Sequence, residues 1–179
     1  RLTQFSQAWR GLTQAQRDAW NSVVSQFATT DIFGDIVNPS GNTLYTKINS
    51  NITNAGGVAL VLPPNPTGVT ALTEVSVQAQ VTGNGFGVAF APDEVPANTA
   101  MIIEATPCLS AGISNANTQF RQIAVVPATE ESPYDAGADY IAKFGTMTAG
   151  KKVFVRAKFV NLLTGEVSQA LSNYAIVTL

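Results

Sequence analysis

The spacing of apolar positions changes once along the chain, at Pro63-Pro64-Asn65-Pro66. Before this run it is helical. Ala19, Trp20, Val23, Val24 and Phe27 follow i, i+1, i+4, i+5, i+8, the single apolar face of an amphipathic helix. Thr13 stands at its N-cap position, and Gln16 three residues on completes a capping box. Trp9 falls in a short turn or helix ending at Gly11. Leu44, Tyr45, Ile48 and Ile52 repeat the helical spacing, and Gly56-Gly57 supply a stop. Residues 29–41 between the helices are polar and punctuated by Asp31, Gly34, Pro39 and Gly41, which is loop chemistry.

After the prolines the period is two. Val75, Val77, Ala79 and Val81 alternate, and Gly83-Asn84-Gly85 turns the chain into an apolar run over residues 86–91. Residues 69–72, 100–106, 120–126, 140–144, 153–160 and 174–179 read as further strands, with Thr164-Gly165 a hairpin turn joining the last two. No ten-residue helical pattern separates them, so an antiparallel sandwich of seven or eight strands fits better than βαβ units. The pattern predicts a mainly β chain with a small α N-terminal part. Residues 1–62 form a helical anchoring segment and 67–179 the sandwich. Residues 63–66 link them, because consecutive prolines lack N–H donors and favour an extended, semi-rigid chain.

Composition narrows the function. Only 12% of the 179 residues are charged, about half of the roughly 25% usual in globular proteins. The net charge of −2 offers no basic stripe for nucleic acid. The absence of histidine excludes every His-based triad, general base and metal cage. Cys108 is the only cysteine, which excludes an intrachain disulfide and a Cys zinc cluster, and its apolar run makes it a core thiol. No stretch approaches the roughly 20 apolar residues of a membrane span. The N-terminal Arg-Leu-Thr-Gln-Phe has no signal-peptide character and no initiator methionine, so the chain is expected to have been cut or to begin partway through its gene.

Candidate chemistry is sparse, and neither an enzyme nor a cofactor is expected. Gly83-Asn84-Gly85-Phe86-Gly87 leads into a strand rather than the helix N-terminus that a phosphate loop needs. Asp135 and Asp139, with Glu130 and Glu131 nearby, could join a calcium site, since hard cations gather six or more oxygens, but the spacing fits no EF-hand and a solvated loop is the simpler reading. Asp93-Glu94 would need a cleft and tuned pKa values to act as an acid/base pair. Lys151-Lys152 reads as solvation of a strand edge. Asn51-Ile52-Thr53 is a glycosylation sequon with meaning only on a secreted chain. Trp9 and Trp20 lie 11 residues apart with Leu12 between them, a spacing open to packing within the chain or to docking on a neighbouring subunit.

The run Trp9-Arg10-Gly11-Leu12-Thr13-Gln14-Ala15-Gln16-Arg17-Asp18-Ala19-Trp20 resembles a W-x-x-L-T-x-x-Q-R-x-A-W element of structural proteins of tailed bacteriophages. Asp31, Gly34, Ser40-Gly41, Leu44-Tyr45, Asn49, Asn51 and Gly56 continue the match, over roughly a third of the chain. In that group a Pro-rich link and a β-sandwich follow. Residues 64–69 and 153–178 are similar to the ends of a fibronectin type III or immunoglobulin-like module, without its early tryptophan or Cys pair.

The resemblance implies a non-enzymatic virion component: a capsid decoration, a head–tail connector or a tail protein. Its partners would be other virion proteins or copies of itself, as a homo-oligomer in the particle, with no nucleic acid and no membrane. The helices would be the anchor, with Trp9, Leu12, Trp20, Phe27 and Tyr45 as the assembly interface. A low-charge, amide-rich surface suits such permanent contact. The alternative is an extracellular carbohydrate- or surface-binding sandwich. There Asp135, Asp139, Tyr134 and Tyr140 would make the contacts, aromatic faces stacking on sugar rings and calcium bridging hydroxyls.

Overall fold

The computed structural model describes residues 2–179, with side chains from Gln4 onward. It divides into two compact units. The described residues up to Gly68 together with Asn161–Glu166 form one, and Val69–Val160 with Val167–Leu179 form the other.

The first unit contains helices α1 (Leu2–Gly11), α2 (Gln14–Ser22) and α3 (Gly41–Asn54). The Thr13 hydroxyl accepts from the Gln16 N–H at 3.3 Å while the Thr13 N–H donates to Gln16 Oε1 at 2.8 Å, the reciprocal capping box expected of this sequence. α2 stops short of its apolar pattern. Ser22 Oγ donates to the Ala19 carbonyl, competing with the helix's own hydrogen bonds, and Val24–Phe27 tighten into a 3-10 turn. The segment around Trp9 is a full helix of 10 residues rather than a turn. Within the loop expected over residues 29–41, β1 (Thr29–Thr30) pairs antiparallel with β2 (Ile36–Val37).

Ser40 caps α3 and Gly56, at φ +80°, ends it. Phe5, Leu12, Trp20, Leu44, Tyr45, Ile48 and Ile52 make the unit's core. Asn161–Glu166 joins it through Gly165, which lies against Ile48 at φ +68°. A Cβ there would sit 2.8 Å from the Ile48 carbonyl oxygen, so a side chain is excluded.

The second unit contains β3 (Glu74–Ala79), β4 (Phe86–Ala91), β5 (Thr99–Ala105), β6 (Arg121–Val126), β7 (Tyr134–Asp135), α4 (Gly137–Phe144), β8 (Lys152–Asn161) and β9 (Leu171–Ile176). Strand order is β3-β4-β7 in one sheet and β6-β5-β8-β9 in the other, with antiparallel pairing of β3 with β4, β4 with β7, β5 with β6 and β8 with β9. Alternation sends Val75, Val77, Phe86, Val88 and Phe90 from the first sheet and Met101, Ile103, Val153, Val155 and Phe159 from the second into one apolar core. Beyond β9, Thr178 forms a parallel bridge with Gln80. The chain is thus mainly antiparallel β with helices at its N-terminus, as its pattern predicts.

Two expected strands are absent. Residues 69–72 bury only Leu72 fully and form no ladder; regular pairing on that side begins when the Thr73 N–H donates to the Ala91 carbonyl at 3.0 Å. Residues 140–144 are the second half of α4. Tyr140, Ile141 and Phe144 stand at i, i+1, i+4, a helical spacing, and Asp139 in the first turn with Lys143 in the last complements the helix dipole.

Asn49 supplies a test of the helical unit. It is fully buried, its amide donating to the Leu60 carbonyl at 3.2 Å and accepting the Leu60 N–H. Asn49→Leu strands both Leu60 groups, each of which costs about 1–3 kcal/mol when buried unpaired. Urea unfolding followed by tryptophan fluorescence reads this unit alone, because both tryptophans lie in it. A midpoint lowered by about 3 kcal/mol equivalent is expected; an unchanged midpoint contradicts the role given to Asn49.

Candidate functional site

The five residues expected to form the assembly interface come together in one cluster, in which Leu12, Trp20 and Tyr45 face inward. Tyr45 is their centre. Its ring meets Phe5 at 6.4 Å and Trp20 at 5.3 Å, both edge-on, and Trp9 at 5.5 Å. Trp20 is buried completely, and its indole N–H donates to the Val61 carbonyl at 2.9 Å. Leu12 is buried beside them, while Trp9 and Phe27 are half-buried against the same cluster. Burial raises the Tyr45 phenol above its ordinary pKa. Trp20 and Tyr45 therefore have little apolar surface left to offer a partner.

The outward apolar surface lies elsewhere in the same unit. Eight of the twelve large hydrophobics most exposed among the described residues belong to it. Four sit on the β1–β2 arm: Ile32 (92% exposed), Phe33 (83%), Ile36 (77%) and Val37. Asp31 builds this arm. Its Oδ1 accepts the N–H groups of Phe33 at 2.8 Å and Asp35 at 3.0 Å, its own N–H donates to the Asp35 carbonyl, and Gly34 takes the left-handed φ of +90° that closes the turn. The tip is therefore held in shape while it presents two bulky apolar side chains to solvent. Sequence reasoning identified a loop here and missed its content. The available signal was Ile-Phe placed between two turn residues, where polar side chains are usual.

The candidate contacts of the β unit are also occupied. Tyr140 is buried, stacked on Phe86 at 4.7 Å, with its hydroxyl donating to the Thr106 carbonyl at 3.0 Å and 3.7 Å from Cys108 Sγ. Burial first, and the Cys108 contact second, push its pKa far up. Such a ring cannot stack on a sugar. The Tyr134 hydroxyl donates to Asp139 Oδ2 at 3.1 Å, and Asp135 Oδ1 accepts the Gly137 N–H at 2.9 Å. Burial, then the bond to and charge of Asp139, then Glu130 and Asp135, hold Tyr134 up at about 12. A groove of about 510 Å³ beside Asp135 is lined by Asn84, Gly137, Ala138 and Ile141, with Asp135 its one carboxylate. Asp135 and Asp139 have no third Asp, Glu or Cys converging on them among the described residues.

The remaining candidates serve the fold. Lys152 Nζ donates to the Ile113 carbonyl at 2.9 Å and lies 4.6 Å over the Tyr174 ring. Asn51, the sequon asparagine, donates its amide to the Gly165 carbonyl at 2.9 Å. Backbone bonds tie Asp93 to Ser132 and Val95 to Glu130 around Glu94. No protein-family model matches the chain, and no curated protein matches it.

Two predictions follow from these environments. Replacing Ile32 and Phe33 together by Ser removes no packed side chain and should move unfolding by less than about 0.5 kcal/mol, whereas Trp20→Ala should cost about 3–5 kcal/mol; equal effects in urea titrations would contradict the inward/outward assignment. Tyr134 contributes to an alkaline window together with the likewise raised Tyr140 and Tyr45. An unfolded tyrosine loses its proton near 10.0, while Tyr134 keeps its own to about 12, so the fold loses stability as pH rises between these values. Tyr134→Phe should flatten that slope in pH-dependent denaturation, and an unaltered slope would exclude the phenol.

Proposed function

We propose that this chain is a non-enzymatic structural component of a tailed-bacteriophage virion, assembled in multiple copies through its helical unit. It would serve as a capsid decoration, a head–tail connector or a tail protein. The observation that carries the assembly half of this reading is the arm. A preformed turn holds Ile32 and Phe33 almost fully in solvent, which a free solute has no reason to retain. Full burial of side chains of this kind is worth about 1.5–3 kcal/mol each. The virion half rests on the resemblance of residues 9–20 and of the matched positions from Asp31 to Gly56.

The β unit supports the same reading as an immunoglobulin- or fibronectin-type sandwich. Its first, second and fifth strands (β3, β4, β7) share one sheet, and its third, sixth and seventh (β5, β8, β9) share the other. That is how immunoglobulin-like modules divide A, B and E from C, F and G; here the fourth strand lies beside the third. Such modules space or display rather than catalyse, and the fold alone does not set the role. The carbohydrate-binding alternative is less well supported, because Tyr140 is buried and the Tyr134 hydroxyl is engaged by Asp139.

Mass spectrometry of gradient-purified particles from the culture carrying this gene tests the reading. The chain is expected in the particles at a constant ratio to the main shell protein. A chain abundant in the lysate and missing from the particles would overturn it.

A further inference from the structure

We infer that the β1–β2 arm of one copy seats in a groove along α3 of a second copy of this chain. This rests on the assembly reading above and names its contact. The groove is a concavity of about 410 Å³ bordered by Asn42, Thr43, Thr46, Lys47, Ser50 and Asn51. These positions fall at i, i+1, i+4, i+5, i+8 and i+9, one continuous stripe of the helix. The groove's walls are mostly carbon, to which the methyls of Thr43 and Thr46 and the methylene stem of Lys47 contribute.

Two observations match the arm to this groove. The first is charge. Lys47 is exposed and has no acidic partner among the described residues, and Asp35 is exposed on the arm with no basic one. Asp31, the arm's other carboxylate, is already committed to the turn, so Asp35 is the one left to meet Lys47. The second is that Ile32 and Phe33 remain exposed in the single chain, so the arm does not fill its own groove. Seated in a neighbour, Ile32 and Phe33 would cover the carbon walls and Asp35 would pair with Lys47. Arm and groove are different surfaces of one chain, so each copy has one of each to offer.

Light scattering on size-separated samples of the 179-residue chain, over a hundredfold concentration range, tests the contact. The natural chain should gain mass with concentration. An arm variant, Ile32→Ser with Phe33→Ser, and a groove variant, Lys47→Glu, should each stay monomeric with unchanged circular dichroism. Mixed one to one, they should form a complex of two chains and no larger species, because one intact arm and one intact groove remain. Combining Asp35→Lys with Lys47→Glu in one chain should restore at least a tenfold gain in association over Lys47→Glu alone. Natural-strength association of Lys47→Glu, or a mixture that stays monomeric while the natural chain assembles, would overturn the inference. A natural chain monomeric at every concentration would overturn it as well, while leaving the virion reading to the particle measurement.

Discussion

The helical unit depends on the burial of Tyr45. α1 and α2 have 10 and 9 residues, fewer than the roughly 12–15 at which isolated helices become even marginal in water. Neither stands on its own propensity. Each is held by an aromatic set against Tyr45 of α3: Phe5 and Trp9 from α1, Trp20 from α2. Rings of this size bury about 150–250 Å² each and prefer edge-on contact, the geometry Phe5 and Trp20 adopt. The Trp20 N–H then reaches the Val61 carbonyl, so the same cluster fixes the chain beyond α3.

That commitment determines what the unit can offer outside. Phe5, Trp20 and Tyr45, among the side chains most capable of dominating an interface, are used up in the core. Half of the unit's eight most exposed large hydrophobics sit on a small, locally ordered arm. Its order matters for affinity, because a tip already fixed by Asp31 loses little conformational freedom on docking. In the proposed contact, the opposite charges of the exposed Lys47 and Asp35 would give direction to surfaces made mainly of carbon.

What could be read from the sequence was whatever is decided locally. The Thr13/Gln16 box, the α3 face from Leu44 to Ile52, the alternation of β3 and the Gly165 turn each follow from a few neighbouring residues. α4 did not, because its 8 residues show barely two turns and Tyr140 and Phe144 favour strands by propensity. The site was less legible than the fold. Periodicity identifies the apolar face carrying Trp20 but does not say whether the same chain or another covers it. Only the convergence of three rings on Tyr45 decides that. In the arm, Asp31 and Gly34 announced a turn, yet strands of two residues are too short for any alternation to show that Ile32 and Phe33 point outward. Tyr140 illustrates the converse, an aromatic beside acidic residues that a helix turns into the core.

The Pro-rich run also acquires a different meaning from its surroundings. A spacer should be poor in tertiary hydrogen bonds, and prolines in sequence favour one. Here the chain on both sides of the prolines is tied to the helical unit. Leu60 is bonded to the Asn49 amide and Val61 to Trp20 before them. After them, Glu166 Oε2 accepts the N–H groups of Thr67 at 3.0 Å and Gly68 at 2.9 Å, and Asn161 Nδ2 donates to the Gly68 carbonyl. A carboxylate receiving two adjacent backbone donors is among the stronger surface contacts available. The run therefore acts as a fastened border of the helical unit, and the stiffness of its prolines lowers the entropy cost of keeping it there.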